Sequence, residues 1–520
     1  MKNIIILIVI TFSVFLNAQN YIPDPAFGGS GSVVTNYNMY YDNDQAPRNV
    51  FFENNKYIFA QKTQLSCFNY DGTVDFTFGT LGYSRIIIPN CPTYTITIQR
   101  AKIINNSILI FGKSYDPNTN VFYGFIAKMS IDGVFDTTFG NNGIATVAIG
   151  NINNDPYSMG ITDIVFTNGN YFCLGTTIYN DINGNFRKNV FIVKLSSIGS
   201  IDLTFDPAGL KKITSIDGIE AQNIFEYQGN LLIIGHITNN NTGNENSMAF
   251  LSINQSGNFI STFGTNGQKK ITLSPIGWRT GESFNNCKLI GDDLYVMRTY
   301  FSGAGTSSAN ILQKIQKINI TNLLITEISA TNNDSTVTYV IDNDKIYILG
   351  CLSICQNDFN IIRRNIDGTL DTTFNQTGTY SYSFPSPNSW TTTYDSATVL
   401  VKDANNGILI GGYTSAQFYT TAPYRGFAML RIKDQTLSIN EVSNNHFSLS
   451  PNPVQKNLNI KIPNSISIDN ITIFDVLGKI VYSANNTLDQ INLENLREGL
   501  YFVKIKSGAI NDSFKIIKKN

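Results

Sequence analysis

Short apolar runs recur along the chain at 57–60, 108–112, 171–175, 231–235, 294–297, 346–350 and 408–412, five of them closed by Gly. A second run follows each one, at 65–68, 125–129, 190–195, 248–253, 311–318, 359–363 and 427–432. Runs this short, rich in β-branched and aromatic residues and bounded by turn formers, predict strands rather than helices. Both series count seven.

A spaced phrase accompanies them: Gly, five residues, Phe, three residues, Gly, usually with Asp-x-Thr ahead of the Phe. It reads Gly72…Phe78…Gly82, Gly133…Phe139…Gly143, Gly199…Phe205…Gly209, Gly257…Phe263…Gly267 and Gly368…Phe374…Gly378, with a truncated copy at Phe27…Gly31. Successive Phe residues stand 51, 61, 66, 58 and 111 positions apart. The last interval holds two periods, so one copy near 315–329 has lost the phrase and kept its strands. A unit reads as an inner strand after the second Gly, a second strand, the apolar third strand, an outer fourth strand and the Phe turn. Residues 144–148, 161–166, 171–176 and 190–196 illustrate one. Four short antiparallel strands per unit of about 60 residues, repeated radially, describe a β-propeller blade.

The phrase also has a mechanical reading. Asp71-Gly72, Asp132-Gly133 and Asp367-Gly368 are turn signals, because Gly accepts positive φ and Asp bonds nearby backbone. Asp75, Asp136, Asp202 and Asp371 stand where a carboxylate caps a single helical turn over Thr and Phe, and position 260 is Ile instead. The Phe is placed to be buried between adjacent units.

Composition narrows the class further. Hydrophobic residues make up 42% of 520 and charged residues 14%, against about 25% charged in an average domain. The core is ample and disorder is not expected. Formal net charge is -1 without long basic or acidic runs, which leaves no electrostatic footprint for nucleic acid. Lys2, the apolar stretch 4–16 and Ala18 before Gln19 read as a signal peptide over residues 1–18. That stretch is shorter than the roughly 18 to 20 residues a spanning helix needs, and the mature chain offers no other span. Export makes disulfides possible. Of Cys67, Cys91, Cys173, Cys287, Cys351 and Cys355, the last two flank a short turn and suit a bridge, while Cys173 suits a buried thiol. His236 and His446 are not spaced with any Cys pair for zinc. No catalytic residue, cofactor site or metal site is assigned. The segment 181–185 lacks the closing Glu of a calcium loop. Trp278, Trp390, Tyr40, Tyr41, Tyr394 and Tyr419 are candidates for stacking on sugars, with core packing the commoner role for such aromatics.

The phrases at 132–140 and 367–374 resemble the delta-60 repeat family, bacterial repeats understood as propeller blades. The resemblance covers about residues 21–432 and implies architecture rather than activity. The Asp-box of sialidases is set aside, since Asp and Gly are adjacent here.

After residue 432 the pattern changes. A polar stretch, with a linker at 436–446, leads into Leu449-Ser450-Pro451-Asn452-Pro453, then Ile473-Phe474-Asp475-Val476-Leu477-Gly478-Lys479, then Gly499-Leu500-Tyr501-Phe502-Val503, and a basic end with Lys515 and Lys518. Alternating strands with Asn and Gly turns predict a small antiparallel sandwich of about 70 residues. The order of these phrases, over residues 447–520, resembles the type A C-terminal sorting domain of the type IX secretion system. That resemblance implies a bacterium of the Bacteroidetes type, passage through the periplasm and recognition by an outer-membrane translocon. The tail is then often removed and the cargo anchored to surface lipopolysaccharide or released. Within the motif, Pro451 and Pro453 are read as fixing an extended path, Gly478 and Gly499 as turns, and the basic end as guiding recognition.

The expected fold is all-β: a seven-bladed β-propeller over 19–435, with four-stranded antiparallel blades, followed by a small Ig-like β-sandwich. The expected location is the outer cell surface or the medium. Three functions fit: a non-catalytic binder of an extracellular glycan or protein on its loop face, a polysaccharide-acting enzyme, and an adhesin or structural coat component. Inward-facing carboxylates at one end of the central channel favour the second. Loss of attachment on deletion favours the third.

Overall fold

The computed structural model describes residues 19–35, 47–151, 160–180, 186–213, 219–238, 246–272, 283–302, 310–328, 335–351, 358–385, 393–416, 424–435, 447–461, 467–476, 478–485, 489–508 and 510–519. The chain divides into two compact units, Met1–Thr436 and Leu437–Asn520. Among the described residues there is no α-helix, and one 3-10 turn at Thr93–Thr95. The signal-peptide and linker assignments, 1–18 and 436–446, fall outside the described residues.

Among the described residues of the first unit, seven antiparallel sheets follow one another. Sheet 1 holds Asn49–Glu53, Lys56–Ala60, Gln64–Asn69 and Tyr83–Arg85. Sheet 2 holds Thr97–Ile104, Ser107–Asp116, Val121–Ser130 and Ile144–Asn151. Sheet 3 holds Gly160–Thr167, Asn170–Asn180, Phe186–Ser196 and Lys211–Ile213. Sheet 4 runs from Ile219–Tyr227 through Asn230–Thr238 and Asn246–Ile253 to Gln268–Thr272. Sheet 5 runs from Ser283–Ile290 through Asp293–Ser302 and Asn310–Asn319 to Ile325–Glu327, and sheet 6 from Ser335–Asp342 through Lys345–Cys351 and Phe359–Asn365 to Thr379–Tyr382. Sheet 7 takes Thr393–Lys402, Ile408–Ala416 and Tyr424–Asp434 from the end of the unit. Its outer edge comes from the beginning, since Tyr21–Pro23 and Ser32–Thr35 both pair with Tyr424–Asp434.

First strands pack on first strands from sheet 1 through sheet 5, again from sheet 6 to sheet 7, and from sheet 7 back to sheet 1; sheet 6 reaches the third strand of sheet 5. The result is a closed, propeller-like ring. Apolar clusters fill the seams, for example Ile58, Leu65, Phe78, Ile98 and Phe125 between sheets 1 and 2.

One reading of the sequence is corrected here. The strand after the second Gly of each phrase was expected to open the next unit. It is instead the outer strand of the same sheet, since Ile144–Asn151 pairs with Val121–Ser130. Alternation cannot say which neighbour a strand joins. The turn decides: Ser130 N–H bonds Val134 O at 2.8 Å, and the chain folds back on the strand it has just left.

The phrase nevertheless joins neighbouring sheets. Phe27, Phe78, Phe139 and Phe374 are wholly buried. A Cβ on Gly133, whose φ is +77°, would meet Cε1 of Phe78 at 2.7 Å, so the Asp-Gly turn of one sheet is the seat for the preceding sheet's ring. Backbone stitches accompany the rings: Gly28 N–H to Asp71 O at 2.8 Å, Gly79 to Asp132 O at 2.9 Å and Gly140 to Ile198 O at 2.8 Å. Where the phrase is missing, buried Ile328 of sheet 5 packs with Ile366 and Leu370 of sheet 6.

The phrase's aspartates close tight turns. Oδ1 of Asp75, Asp136, Asp202 and Asp371 accepts both the N–H and the hydroxyl of the Thr two residues on, the hydroxyls at 2.5–2.6 Å. The second oxygen faces a cation: Lys56 at 2.8 Å, Lys128 at 2.9 Å, Lys194 at 2.9 Å and Arg363 at 2.8 Å respectively. The Thr138 hydroxyl and then Lys128 hold Asp136 below the ordinary carboxylate range, and Thr204 and Lys194 do the same for Asp202. A carboxyl depressed in the folded state stabilises it above the unfolded value of about 4 and loses that contribution as pH falls through the folded value. A double Asp136→Asn, Asp202→Asn variant is therefore less stable than the parent at pH 7. The gap in urea midpoint closes as pH falls below about 4. A gap unchanged down to pH 2 contradicts the assignment.

Candidate functional site

The second unit has its own core. Ser448–Ser450, Asn457–Lys461 and Gln490–Asn492 form one sheet, and Ile480–Ala484, Asn470–Asp475, Gly499–Ser507 and Ile510–Lys518 form another in that order. Val454, Leu458, Ile471, Ile473, Val503, Ile505 and Ile516 are wholly buried. The period of two seen in the sequence is the period of burial, with Tyr501, Val503 and Ile505 inward and Phe502, Lys504 and Lys506 outward.

The structure revises several roles read from the motif. Pro451 and Pro453 do not lie on an extended path. Both X-Pro bonds are cis, and residues 451–453 belong to the reversal between Ser448–Ser450 and Asn457–Lys461, which pair antiparallel. So few residues between two antiparallel partners leave no room for a straight path. Asn452 clasps the final strand, with Nδ2 donating to Lys515 O at 2.9 Å and Oδ1 accepting from Ile517 N–H at 2.9 Å. Val454 continues the edge by bonding Ile517 O and accepting from Lys519 N–H, each at 2.8 Å. The motif thus covers an edge that would otherwise present unpaired backbone. Replacing Asn452 with Ala is expected to speed amide hydrogen exchange at Ile517 at least tenfold while leaving Val503 protected. Unchanged exchange at Ile517 contradicts the clasp.

Asp475 and Gly478 form a hairpin turn. Asp475 Oδ1 accepts from Lys479 N–H at 2.9 Å, Gly478 N–H bonds Asp475 O at 3.0 Å, and Gly478 has a φ of +80°. Gly499 was expected in a turn, but it opens the strand Gly499–Ser507 opposite Lys518, because the reversal is completed by the residues before it. Tyr501 is buried with its hydroxyl donating to Arg497 O at 2.9 Å. Lys515 is exposed. Lys518 is only 4% exposed and its ammonium donates to Lys519 O at 2.8 Å, so it is not displayed as the basic end was read to be.

The ring holds a second feature, which the sequence did not signal. The first strands of sheets 2 to 7 each carry a register shift, at 98/100, 161/163, 221/223, 285/288, 336/338 and 397/399. A bulge re-aims a side chain, and here it aims toward the next sheet. Thr162 Oγ1 donates to Ala221 O at 3.2 Å, Asn286 Nδ2 to Tyr339 O at 3.0 Å and Thr398 Oγ1 to Pro47 O at 3.0 Å. Beside the bulge in sheet 3, wholly buried Asp163 meets Lys102 at 2.5 Å, Asn223 Nδ2 at 3.2 Å and Ile224 N–H at 3.0 Å. Its oxygens tie sheet 3 to sheets 2 and 4 at once. Such a carboxylate joins sheets rather than serving as half of an acid–base pair.

Free thiols stand at Cys67, Cys91, Cys173 and Cys287. Burial pushes Cys67 up to about 12, helped by Asp75, and pushes Cys287 up to about 12 as well. Buried Cys173 lies higher still. Protonated thiols of this kind are inert. Among the described residues no group of three or more His, Cys, Asp or Glu could hold a metal ion. His236 is buried in sheet 4. The proposed Cys351–Cys355 bridge, His446, residues 181–185, and the side chains of Tyr40, Tyr41, Trp278, Trp390, Tyr394 and Tyr419 lie outside the described residues.

Residues 448–519 match the family model described as a secretion system C-terminal sorting domain. No curated protein matches the chain. Among solved structures, the chain is similar to the extracellular domain of a hybrid two component system from B. thetaiotaomicron (11% identity, 97% of this chain and 59% of that one, TM-score 0.38). It is also similar to the β-propeller domain of the Trilobed protease from Pyrococcus furiosus (7%, 80% and 94%, TM-score 0.34). A third is the Penicillium chrysogenum α-L-arabinanase complexed with arabinobiose (9%, 77% and 96%, TM-score 0.38). The chain spans 59% of the length of the first of these. Likenesses this remote transfer no activity. The class is an exported, all-β protein that carries its address at the C-terminal end. The sorting domain makes it a cargo of the type IX secretion system, bound for the cell surface or the medium. No helix among the described residues is long and apolar enough to cross a membrane.

Proposed function

We propose that the chain is a non-catalytic, seven-bladed β-propeller of delta-60 repeats, delivered by an Ig-like type A sorting domain to bind an extracellular glycan or protein. The observation that carries the reading is the match of residues 448–519 to a sorting domain on a separate compact unit. Seven successive sheets with a shared seventh support the blade count. The bond from Tyr501 to a carbonyl four residues upstream supports the Ig-like reading, because immunoglobulin sandwiches carry such a corner. The commitment of Asp163 to the sheets on either side of its own supports a binding ring over a hydrolytic one. Pro451, Asn452, Pro453, Asp475, Gly478, Gly499 and Tyr501 shape the domain the outer-membrane translocon reads, and Lys515 lies on its surface.

Deleting residues 447–520 is expected to leave the ring in the periplasm and absent from surface and medium. Undiminished surface or medium protein contradicts the sorting assignment. A glycan and polysaccharide array with the 19–435 fragment tests the binding assignment, and release of reducing ends overturns the non-catalytic one.

A further inference from the structure

We propose that the translocon recognises the solvent face of the four-stranded sheet in the second unit, and that this face fits an acidic protein surface with an apolar centre. The inference rests on the reading of residues 447–520 as a sorting domain and names the surface that does the work.

The register sets out the face row by row. Ile480 lies beside Phe474, Phe474 beside Phe502 and Phe502 beside Lys515. The next outward pair on one side is Leu500 with Ile517. On the other side come Thr472, Lys504 and Ser513, then Asn470 and Lys506. The solvent face of an antiparallel sheet is ordinarily polar. Here an apolar row of Ile480, Phe474 and Phe502 crosses three of the four strands and ends at Lys515, with Ile480 56% exposed and Phe502 and Ile517 of the neighbouring pair each 40% exposed. The domain core does not need these side chains, since Tyr501, Val503, Ile505 and Ile516 fill the opposite side.

The charges on this face are of one sign. Lys504, Lys506 and Lys515 are exposed and make no ion pair among the described residues, and no Asp or Glu occupies any of the positions named above. Four of the unit's carboxylates are turned to other work. Asp475 accepts from Lys479 N–H at 2.9 Å, Asp469 from Gly508 N–H at 2.7 Å and buried Asp512 from Phe447 N–H at 3.4 Å. Glu494 pairs with Lys456 at 3.0 Å on the other sheet. Aromatic and aliphatic groups at the centre with cations at the side match a protein–protein interface, and unpaired lysines call for carboxylates on the partner. An anionic membrane is the poorer fit. Interfacial insertion sinks an apolar face about 5–10 Å into the headgroup boundary, and this face is a flat sheet whose phenyl ring is more than half covered.

The test uses the full chain in its secreting host. A triple Lys504→Glu, Lys506→Glu, Lys515→Glu variant is expected to fall at least tenfold on the surface and in the medium while accumulating intact in the periplasm. The matching triple Lys→Arg variant is exported like the parent. Phe502→Gln, which leaves every inward side chain in place, is retained in the same compartment, and it decides the matter if the Glu triple is degraded. Parental export of both the Glu triple and Phe502→Gln, alongside a block on deleting 447–520, overturns this face and leaves the sorting assignment standing. Parental export of the deletion itself overturns both. Binding of the purified chain to anionic vesicles that the Glu triple loses, with export unchanged, replaces the protein partner with a lipid surface and overturns the proposal as stated.

Discussion

Replacing Asp403 with Ala is expected to lower the stability of the ring by about 3–5 kcal/mol, the range measured when one partner of a buried ion pair is removed. Arg431 is 1% exposed and its Nε and Nη2 reach Asp403 Oδ2 at 2.8 Å each. Tyr57 donates its hydroxyl to the same oxygen at 2.8 Å, the guanidinium lies 4.3 Å from the centre of the Tyr70 ring, and its remaining nitrogen pairs with Asp24. Asp24 belongs to the N-terminal segment, Asp403 and Arg431 to sheet 7, and Tyr57 and Tyr70 to sheet 1 and the turn that follows its third strand. One buried cation therefore ties the two ends of the unit to the first sheet. Without Asp403 the guanidinium keeps its burial and loses its best acceptor. Asp403→Asn keeps the shape and loses the charge, so it should cost less. Urea unfolding of the parent and both variants checks this, and a loss below about 1 kcal/mol for Asp403→Ala contradicts it.

Replacing Phe139 with Ala should cost about 3–5 kcal/mol, the usual price of emptying a buried phenyl site. The ring is wholly buried in the seam between sheets 2 and 3, edge-on to Tyr171 at 5.8 Å and seated on Gly199. Phe205→Ala should cost less, since that ring is 9% exposed, and Phe263→Ala less again, since Phe263 is only partly buried and faces the sheet that lacks the phrase. The order Phe139, Phe205, Phe263 is the informative result. Equal losses at all three sites contradict a role for the phrase in joining sheets.

Much of this architecture was legible before any coordinates. Strand positions in the ring followed from short apolar runs between turn formers, and those in the tail from alternation, because the pleat imposes a period of two on a half-buried strand. The Asp-x-Thr turns followed from local chemistry, since Asp75 and Thr77 need no distant partner. What stayed hidden was long-range. The phase of the unit depends on which neighbour Ile144–Asn151 joins, and its pattern is the same either way. The bulges in the first strands fall on Gln99, Thr162, Gln222, Val337 and Thr398 among others, with no single residue type common to all of them. The pairing of Asp24 with Arg431 spans almost the whole ring and becomes local only on closure. In the tail, the landmarks were correctly located and partly misassigned. Pro451, Asn452 and Pro453 were visible as a motif, but the clasp on Ile517 requires the final strand to lie beside them. Lys518 looked like part of a displayed basic end. Its inward turn follows from strand parity, with Ile516 and Lys518 on the buried side and Lys515 and Ile517 on the other.

The central claim is that the second unit is a self-sufficient address. Its most direct measurement fuses residues 437–520, a compact unit with its own core, behind a signal peptide and a folded periplasmic reporter in the secreting host. Surface accessibility of the reporter to an external protease, and its release to the medium, are then read. The account predicts that the reporter crosses the outer membrane and does so only with the tail attached. A reporter that stays in the periplasm, folded and with its tail intact, contradicts it.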